Sequence, residues 1–155
     1  ASADLIFDSQ GSVMDVKIRD DAKQYELWEK NVSALLGLSN AMKEYLEYGV
    51  DRAMKNIVSK ADYIRENISR NENLILVGNV KAKTGVVSFY MKEASKEEYV
   101  KNLLEKEGFI VSCICDWDCP LFFPKNGVHY FFRISPHYYT EETNIKALCE
   151  LIQTL

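Results

Sequence analysis

The sequence has 155 residues, of which 47% are hydrophobic and 27% are charged. These proportions are typical of a soluble globular domain, and they exclude intrinsic disorder, which requires few apolar groups and a high net charge. The chain contains 7 Gly and 3 Pro, which excludes collagen-like and low-complexity material. The length predicts one ordinary domain with a hydrophobic core of its own.

The charge pattern argues against a nucleic-acid partner. The 19 basic and 23 acidic side chains give a net charge of −4, whereas nucleic-acid binding usually requires a basic face. The basic residues are interleaved with acids along the chain. We therefore interpret them, Lys60 and Arg65 included, as solvent-exposed residues on helix faces.

The chain predicts neither a membrane span nor a secretory signal. No apolar run approaches the roughly 18–20 residues that cross a bilayer, and the first residues lack a basic segment followed by an apolar one. We expect a cytoplasmic protein with no membrane partner and with its four cysteines reduced. Because the chain does not begin with Met, we expect it to be cut from something longer.

Two long helices are predicted in the first half of the chain. Residues 1–24 are rich in small and acidic side chains and predict an extended lead-in segment. Residues 25–48 predict a helix that ends at Gly49, where a left-handed residue is expected. Residues 51–70 predict a second helix, because apolar side chains recur there every three or four positions.

The second half of the chain predicts a small sheet. Short β-type runs lie at residues 74–77, 86–91, 109–115 and 128–135. Ser95 and Glu98 predict a capping box that begins a helix, Gly108 ends it, and Thr140 begins the last helix. The order predicts an α+β fold: a small four-stranded, largely antiparallel sheet with helices packed on one face, preceded by a long helix.

The cysteines support two hypotheses about chemistry. Cysteine thiols near a histidine suggest a zinc site. However, the spacing lacks a second Cys-x-x-Cys pair, and buried free cysteines are common core residues. We therefore assign no metal. Alternatively, Cys115 or Cys119 is a reactive thiol on a loop, although the adjacent carboxylates of Asp116 and Asp118 oppose that role by raising a thiol pKa. The candidate zinc ligands are Cys113, Cys115, Cys119, His129 and His137.

Arg133 is the candidate for binding a substrate. Strand alternation places it on the face opposite Phe132 and Ile134. Its guanidinium is a planar fork that matches a carboxylate, which suits an amino-acid or keto-acid substrate. The alternative is an ion pair with one of the acids of the chain.

Four segments, taken in chain order, form a pattern known from one enzyme family: residues 25–31 with 37–46, residues 84–89, residues 108–112 and residues 133–142. They resemble the start of the domain-linking helix, a small-domain strand, the strand after the next helix and the terminal Arg-x-Ser…Tyr-Asn-Thr-Glu signature of class V aminotransferase-like enzymes. These fold-type I enzymes depend on pyridoxal phosphate, and they include cysteine desulfurases, selenocysteine lyases and isopenicillin N epimerase-like proteins. The resemblance covers nearly all of residues 22–155.

The resemblance implies one part of a two-part enzyme. In the family, a large domain carries the Schiff-base lysine, and a C-terminal small domain closes over the site. Residues 1–24 then come from the end of that large domain, and residues 25–155 are the small domain with its linking helix. The implied partners are the large domain of the same polypeptide, a second subunit in a homodimer and a small amino-acid substrate whose carboxylate binds Arg133.

The implied cofactor is pyridoxal 5'-phosphate, bound by the full-length enzyme and not by this part alone. Because the Schiff-base lysine would precede residue 1, we expect these 155 residues to be inactive by themselves and to contribute no catalytic residue. The candidate cleft residues are Trp28, Asn31, His137 and Tyr139.

The sequence also departs from the family. Desulfurases have Gly-Thr where this chain has Trp28 and Glu29, and the positions of Cys115 and Cys119 do not match their nucleophilic cysteine. These departures argue against a desulfurase, and the variant His137-Tyr138-Tyr139 fits an epimerase-, lyase- or aminotransferase-like enzyme better. The alternatives outside the family are a non-catalytic α+β module that binds a ligand or protein and, less favoured, a zinc-binding module.

Overall fold

The computed structural model describes residues 3–26, 29–78, 81, 84–126 and 128–155. The chain divides into two compact units, Ala1–Glu47 and Tyr48–Leu155. The second unit contains the predicted sheet. In the described chain, no helix is both long enough and apolar enough to span a membrane.

The first unit begins with a hairpin that the sequence analysis did not predict. Strands β1 (Ala3–Phe7) and β2 (Val13–Ile18) pair antiparallel, where an extended lead-in was expected. Oδ1 of Asp8 accepts hydrogen bonds from the backbone N–H groups of Gln10 and Ser12, both at 2.8 Å. This aspartate-centred turn closes the hairpin, and a register shift between Ile6 and Phe7 obscures the alternation in β1.

The first helix begins later than predicted. A short 3-10 helix at Ala22–Tyr25 follows the hairpin, and α1 spans Val32–Tyr48 rather than residues 25–48. The side chain of Asn31 sets this start, because its Oδ1 accepts a 3.0 Å hydrogen bond from the N–H of Ala34. The expected positive φ is present at Gly49, where φ is 97°.

The second unit alternates helices and strands. In chain order its elements are α2 (Val50–Arg70), β3 (Leu74–Leu76), β4 (Val87–Met91), α3 (Glu97–Lys106), β5 (Ser112–Cys115), α4 (Phe123–Asn126), β6 (Tyr130–Ile134) and α5 (Glu142–Ile152). The strands form an antiparallel sheet in the order β3-β4-β6-β5. The predicted α+β class and four-stranded sheet are confirmed, whereas the short helix α4 was not predicted.

The helix starts in this unit differ from the predicted caps. Ser95 lies in a 3-10 turn before α3 and its hydroxyl donates to Glu93, so the predicted capping box is wrong. Thr140 does not cap α5 either, since its Oγ1 accepts a 2.9 Å hydrogen bond from the N–H of His137. In both places the hydroxyl group bonds within the preceding turn, a competing option that sequence spacing does not reveal.

The core of the second unit lies between one face of the sheet and its three longer helices, α2, α3 and α5. Strand alternation is clear in β4 and β6, where every second residue is buried. The sheet contributes Val87, Phe89, Met91, Tyr130, Phe132 and Ile134 to a single cluster that also contains residues of α2, α3 and α5. On the opposite face the side chains are half-buried or exposed, and the ring of Phe123 in α4 stacks on Phe131 at 5.3 Å.

Candidate functional site

Arg133 lies on the face of the sheet that the three longer helices leave open. It is exposed, between the buried residues Phe132 and Ile134, as alternation predicted. Its register partners are Ser88 on β4 and Ser112 on β5. Because both neighbouring strands hold the backbone of Arg133, the base of its side chain is fixed while its guanidinium reaches solvent.

The guanidinium of Arg133 makes one weak hydrogen bond in the described structure. Its Nη2 lies 3.4 Å from Oγ of Ser112, near the outer limit for such a bond. Among the described side chains, none forms an ion pair with Arg133. The arginine is therefore available for an external anion, and the alternative of an internal ion pair receives no support from these residues.

A compact turn follows the strand that carries Arg133. The ring of His137 lies 4.1 Å from that of Tyr139 and 4.4 Å from that of Tyr138. The Tyr138 ring lies 4.6 Å from Tyr48, and Nδ1 of His137 is buried without a hydrogen-bond partner among the described atoms. The structure thus brings together two of the predicted cleft residues, His137 and Tyr139, four to six residues after Arg133.

Lys60 of α2 binds the backbone of this turn. It is 8% exposed, and its ammonium donates to the carbonyl oxygens of His137 at 3.4 Å, Tyr138 at 3.0 Å and Thr140 at 2.5 Å. The interpretation of Lys60 as a solvent-exposed helix residue is wrong. The signal was in the sequence, because Lys60 is three residues after Ile57 and four before Ile64 and so shares their buried stripe.

Arg65 holds a second loop, before β4, in the same way. It is also 8% exposed. Its Nη2 donates to the carbonyls of Thr84 at 2.6 Å and Val86 at 2.9 Å, while Nη1 pairs with Asp62 at 2.8 Å. The interpretation of Arg65 as exposed is therefore wrong too. Its position four residues after Ala61 and three before Ile68 carried the same signal.

The two loops adjoin each other. A Cβ atom added to Gly85 would lie 3.9 Å from the carbonyl oxygen of Pro136, and it would overlap Cγ2 of Ile57 on α2. The close approach requires glycine at this point. Since Val87 pairs with Ile134, both loops lie at the same end of the sheet, next to Arg133.

The thiols lie elsewhere. Cys113 and Cys115 pair with Phe132 and Tyr130, so they share the helix-covered face and not the face of Arg133. Cys115 lies beside Tyr130, the first residue of β6. At 3.3 Å per residue, this position is roughly 13 Å from the last residue of the strand, Ile134, which adjoins Arg133. Cys119 follows in the turn, where its N–H lies 3.3 Å from the carbonyl of Cys115.

Cys113 is unreactive by its surroundings. Its thiol donates to Oε1 of Glu97 at 3.2 Å. Burial, followed by the hydrogen bond to the carboxylate of Glu97, raises the pKa of the thiol to about 12, so the thiolate does not form near neutrality. By contrast, Cys115 is exposed, with its thiol 3.5 Å from Asp118.

Two other predicted features have these outcomes. No group of three or more His, Cys, Asp or Glu side chains arranged for a metal occurs within the described ranges. Asn31 caps α1 in the first unit, and Trp28 lies outside the described residues. The role of either one in a cleft therefore stays a prediction.

The described residues do not by themselves fit pyridoxal phosphate. In that part of the chain the one buried lysine is Lys60, and its three N–H donors are all taken by backbone carbonyls. Arg133 offers one cationic group on an open sheet face rather than an enclosed phosphate site. What the arrangement can do is bind a carboxylate at Arg133, with an aromatic turn beginning four residues later in the chain.

Comparison with solved structures gives the same fold. The apo cysteine desulfurase of Thermococcus onnurineus NA1 is 17% identical, with a TM-score of 0.75 over 99% of this chain and 37% of that one. The Escherichia coli cysteine desulfurase CsdA is 16% identical, with a TM-score of 0.73 over 99% and 36%. The cystine C-S lyase C-DES, in complex with its product cysteine persulfide, is 15% identical, with a TM-score of 0.67 over 96% and 36%.

The chain therefore spans just over a third of the length of these structures. No curated protein matches the sequence significantly. The sequence model of one family, described as aminotransferase class-V, matches residues 9–148. Since this match covers most of the chain, the protein belongs to the class-V aminotransferase family.

Proposed function

We propose that this chain is the C-terminal, substrate-clamping part of a pyridoxal-phosphate-dependent enzyme that acts on an amino acid. Arg133 binds the carboxylate of the substrate. The reaction is a transamination, elimination or epimerisation. The observation that carries the proposal is Arg133 itself, a cation on a fixed strand with no ion pair among the described residues.

The surroundings of Arg133 suit a carboxylate. Its guanidinium can donate two parallel hydrogen bonds to the two oxygens, and Ser112 lies close enough to share one of them. The backbone pairing on both sides limits movement of the strand, so little conformational freedom is lost when the anion binds. Tyr139 and His137, on the turn that follows, flank the bound substrate.

The cofactor, held by the large domain, would supply the electron sink of the reaction. The residues of this chain contribute binding and orientation. The Schiff-base lysine and the phosphate contacts belong to the large domain of the same polypeptide, so this part alone is inactive.

The first unit supports a large partner surface. Its apolar side chains are exposed, as is typical of a surface that another protein covers. We propose that the large domain, or the second subunit of a homodimer, covers it. These exposed side chains are Leu5, Ile6, Phe7, Val13, Met14, Val16, Ile18, Val32, Leu35, Leu36, Leu38, Met42 and Leu46.

Desulfurase activity, after which two of the similar proteins are named, is not assigned to this chain. A desulfurase needs a thiol near the bound substrate. Cys115 lies on the face of the sheet opposite Arg133 and beside the other end of β6, and Cys113 stays protonated at neutral pH. This arrangement favours the other reactions of the family.

The test is substitution of Arg133 in the complete gene product with its cofactor. Arg133→Met is expected to raise the KM for the amino-acid substrate about 100-fold, because the substrate carboxylate, enclosed in the cleft of the complete enzyme, loses its charged partner at a cost of roughly 2–5 kcal/mol. The KM of Arg133→Lys should lie between those of the wild type and Arg133→Met, since lysine keeps the charge but cannot donate two parallel hydrogen bonds to a carboxylate. Arg70→Met is the matched control, because Arg70 is exposed on α2 and lies 3.9 Å from Glu66.

Two results would contradict the proposal. One is an unchanged KM in a folded Arg133→Met variant. The other is a gene that begins at or near residue 1, since no large domain would then exist. Titration of the 155-residue chain with pyridoxal phosphate adds a direct check. We expect no stoichiometric Schiff base at a single lysine in the absorbance spectrum.

A further inference from the structure

The carbonyl oxygens of the turn at residues 137–140 converge on one cation. Lys60 reaches them from α2, 77 to 80 residues earlier in the chain, and its ammonium donates to three of the four carbonyls. The ammonium has three N–H donors, so its hydrogen-bonding capacity is used entirely on this turn. Its side chain is almost completely buried.

The turn is held together by its own hydrogen bonds and ring contacts. Oγ1 of Thr140 accepts from the N–H of His137, and the N–H of Thr140 donates to the carbonyl of His137 at 3.0 Å. The rings of His137, Tyr138 and Tyr139 contact one another. A displacement of any one of the three carbonyls therefore displaces the rings as well.

We propose that Lys60 is a positioning residue: its buried ammonium fixes the turn at residues 137–140 so that His137 and Tyr139 stand beside Arg133. This inference rests on the proposed function, in which Arg133 binds the substrate carboxylate. Lys60 does not touch the substrate. It acts through the turn, whose first carbonyl lies four residues after Arg133.

Lysine suits this role for a physical reason. Three carbonyl dipoles that point at one place repel each other unless a cation lies among them, and a buried carbonyl without a donor is costly. A charge on a long, flexible side chain can reach from the helix to the turn, whereas a neutral side chain of the same length leaves the carbonyls unpaired. The turn then relaxes, and Arg133 loses the flanking rings.

Neighbouring charges offer a matched control. A cavity of about 210 Å³ beside Lys60 is lined by Ser59, Tyr63, Glu142, Ile145 and Lys146 as well. Lys146 is exposed on α5 and is not a donor to the turn. Lys146→Met therefore removes the same charge next to the same cavity while leaving the carbonyls satisfied.

The experiment compares Lys60→Met with Lys146→Met in the complete gene product, using two readouts. Amide hydrogen exchange at residues 137–141 is expected to become about tenfold faster in Lys60→Met, because local opening loses three hydrogen bonds. The KM for the amino-acid substrate is expected to rise about tenfold, with kcat changed less than about threefold, as for lost binding rather than lost chemistry. Lys146→Met should match the wild type in both.

If Lys60→Met does not fold, Lys60→Gln replaces it. Glutamine supplies two uncharged donors for three carbonyls, so exchange and KM should lie between those of the wild type and those expected for methionine. Wild-type exchange in a folded Lys60→Met or Lys60→Gln variant overturns the inference. Faster exchange with an unchanged KM overturns it too, provided that Arg133→Met raises KM.

An unchanged KM in Arg133→Met has a different meaning, because it overturns the proposed function of Arg133. The exchange measurement then still decides whether Lys60 holds the turn. The two failures are therefore distinguishable.

Discussion

In the unit Tyr48–Leu155 most of the large apolar side chains are buried or half-buried, whereas in the unit Ala1–Glu47 most of them lie on the surface. The second unit buries a continuous cluster from three strands and three helices, with the half-buried Cys113 of β5 packed against it. In the first unit none of the described residues is buried, although α1 and the hairpin are as rich in Leu, Ile and Val. The second unit has the core of an independent domain, and the first has the composition of one without the burial.

This difference in burial shows which unit makes the proposed site rigid. Arg133 belongs to the unit with the core, on a strand with a partner on each side. The exposed unit offers apolar surface instead, which suits attachment to a larger body. The following changes test this division, from the largest expected effect on stability to the smallest.

Phe89→Ala and Leu36→Ala compare the two units directly. Phe89 is fully buried and its ring lies 5.5 Å from that of Phe132, so truncation should lower the free energy of unfolding by about 3–5 kcal/mol. Leu36 is 63% exposed on α1, and its truncation should change stability by less than about 0.5 kcal/mol. Urea unfolding of the 155-residue chain measures both, and equal effects would contradict the division.

Gly85→Ala tests the close packing at the end of the sheet. The added Cβ overlaps Cγ2 of Ile57, so we expect a loss of about 1–3 kcal/mol in the free energy of unfolding. In an Ile57→Ala background the overlap is relieved, and the same substitution should cost much less. A double-mutant cycle measures the coupling, and additive losses would show that the two residues do not meet.

Alkaline pH should weaken the second unit through its buried thiol at Cys149. Burial, followed by the charge of Glu150, raises the pKa of this thiol from its ordinary value of 9.0 to about 11. A raised pKa means that the folded state holds the proton more tightly. The contribution to stability is therefore complete below pH 9 and declines as pH rises from about 9 to 11.

Cys149→Ala is the control for this pH effect. It should reduce the decline between pH 9 and 11, the rest of which comes from Cys113 with its raised pKa, while lowering stability at pH 7, since the methyl group leaves a small cavity. Urea titrations at several pH values provide the measurement. An identical decline in the variant would assign the effect to other groups.

Leu35→Glu with Met42→Glu tests the exposed unit and has the smallest expected effect on stability. Both side chains line an apolar groove along α1 together with Leu38 and Leu46. The isolated chain is expected to self-associate through this surface, and the double substitution should reduce association while changing stability by less than about 0.5 kcal/mol. Sedimentation velocity measures association, with Glu44→Gln as the control on the same helix.

The regular elements of the second unit were predictable because their periods are clean. The stripe of α2 and the alternation of β6 both reflect side-chain burial on one face. The alternation of β6 placed Arg133 on the correct face of its strand. The helix starts were predicted less well. Ser95 and Thr140 had the right residue types for caps, yet their hydroxyl groups bond within local turns.

The hairpin and the support of the site were missed for different reasons. The hairpin depends on the turn at Asp8 and a bulge, which hide the period of two. The role of Lys60 depends on a contact with residues 77 to 80 positions away. Helical spacing carries the signal for burial of Lys60, which the interpretation as solvent-exposed overlooked, but nothing local in sequence indicates which carbonyls it meets.

The position of β6 in the sheet has a consequence for synthesis. It is the last strand in the chain, and it lies between β4 and β5. While the protein emerges from the ribosome, β4 and β5 therefore have no strand between them until residues 130–134 have appeared, and both expose unpaired backbone edges. The complete sheet of this unit therefore forms only once β6 is available, and until then β4 and β5 can pair with wrong partners.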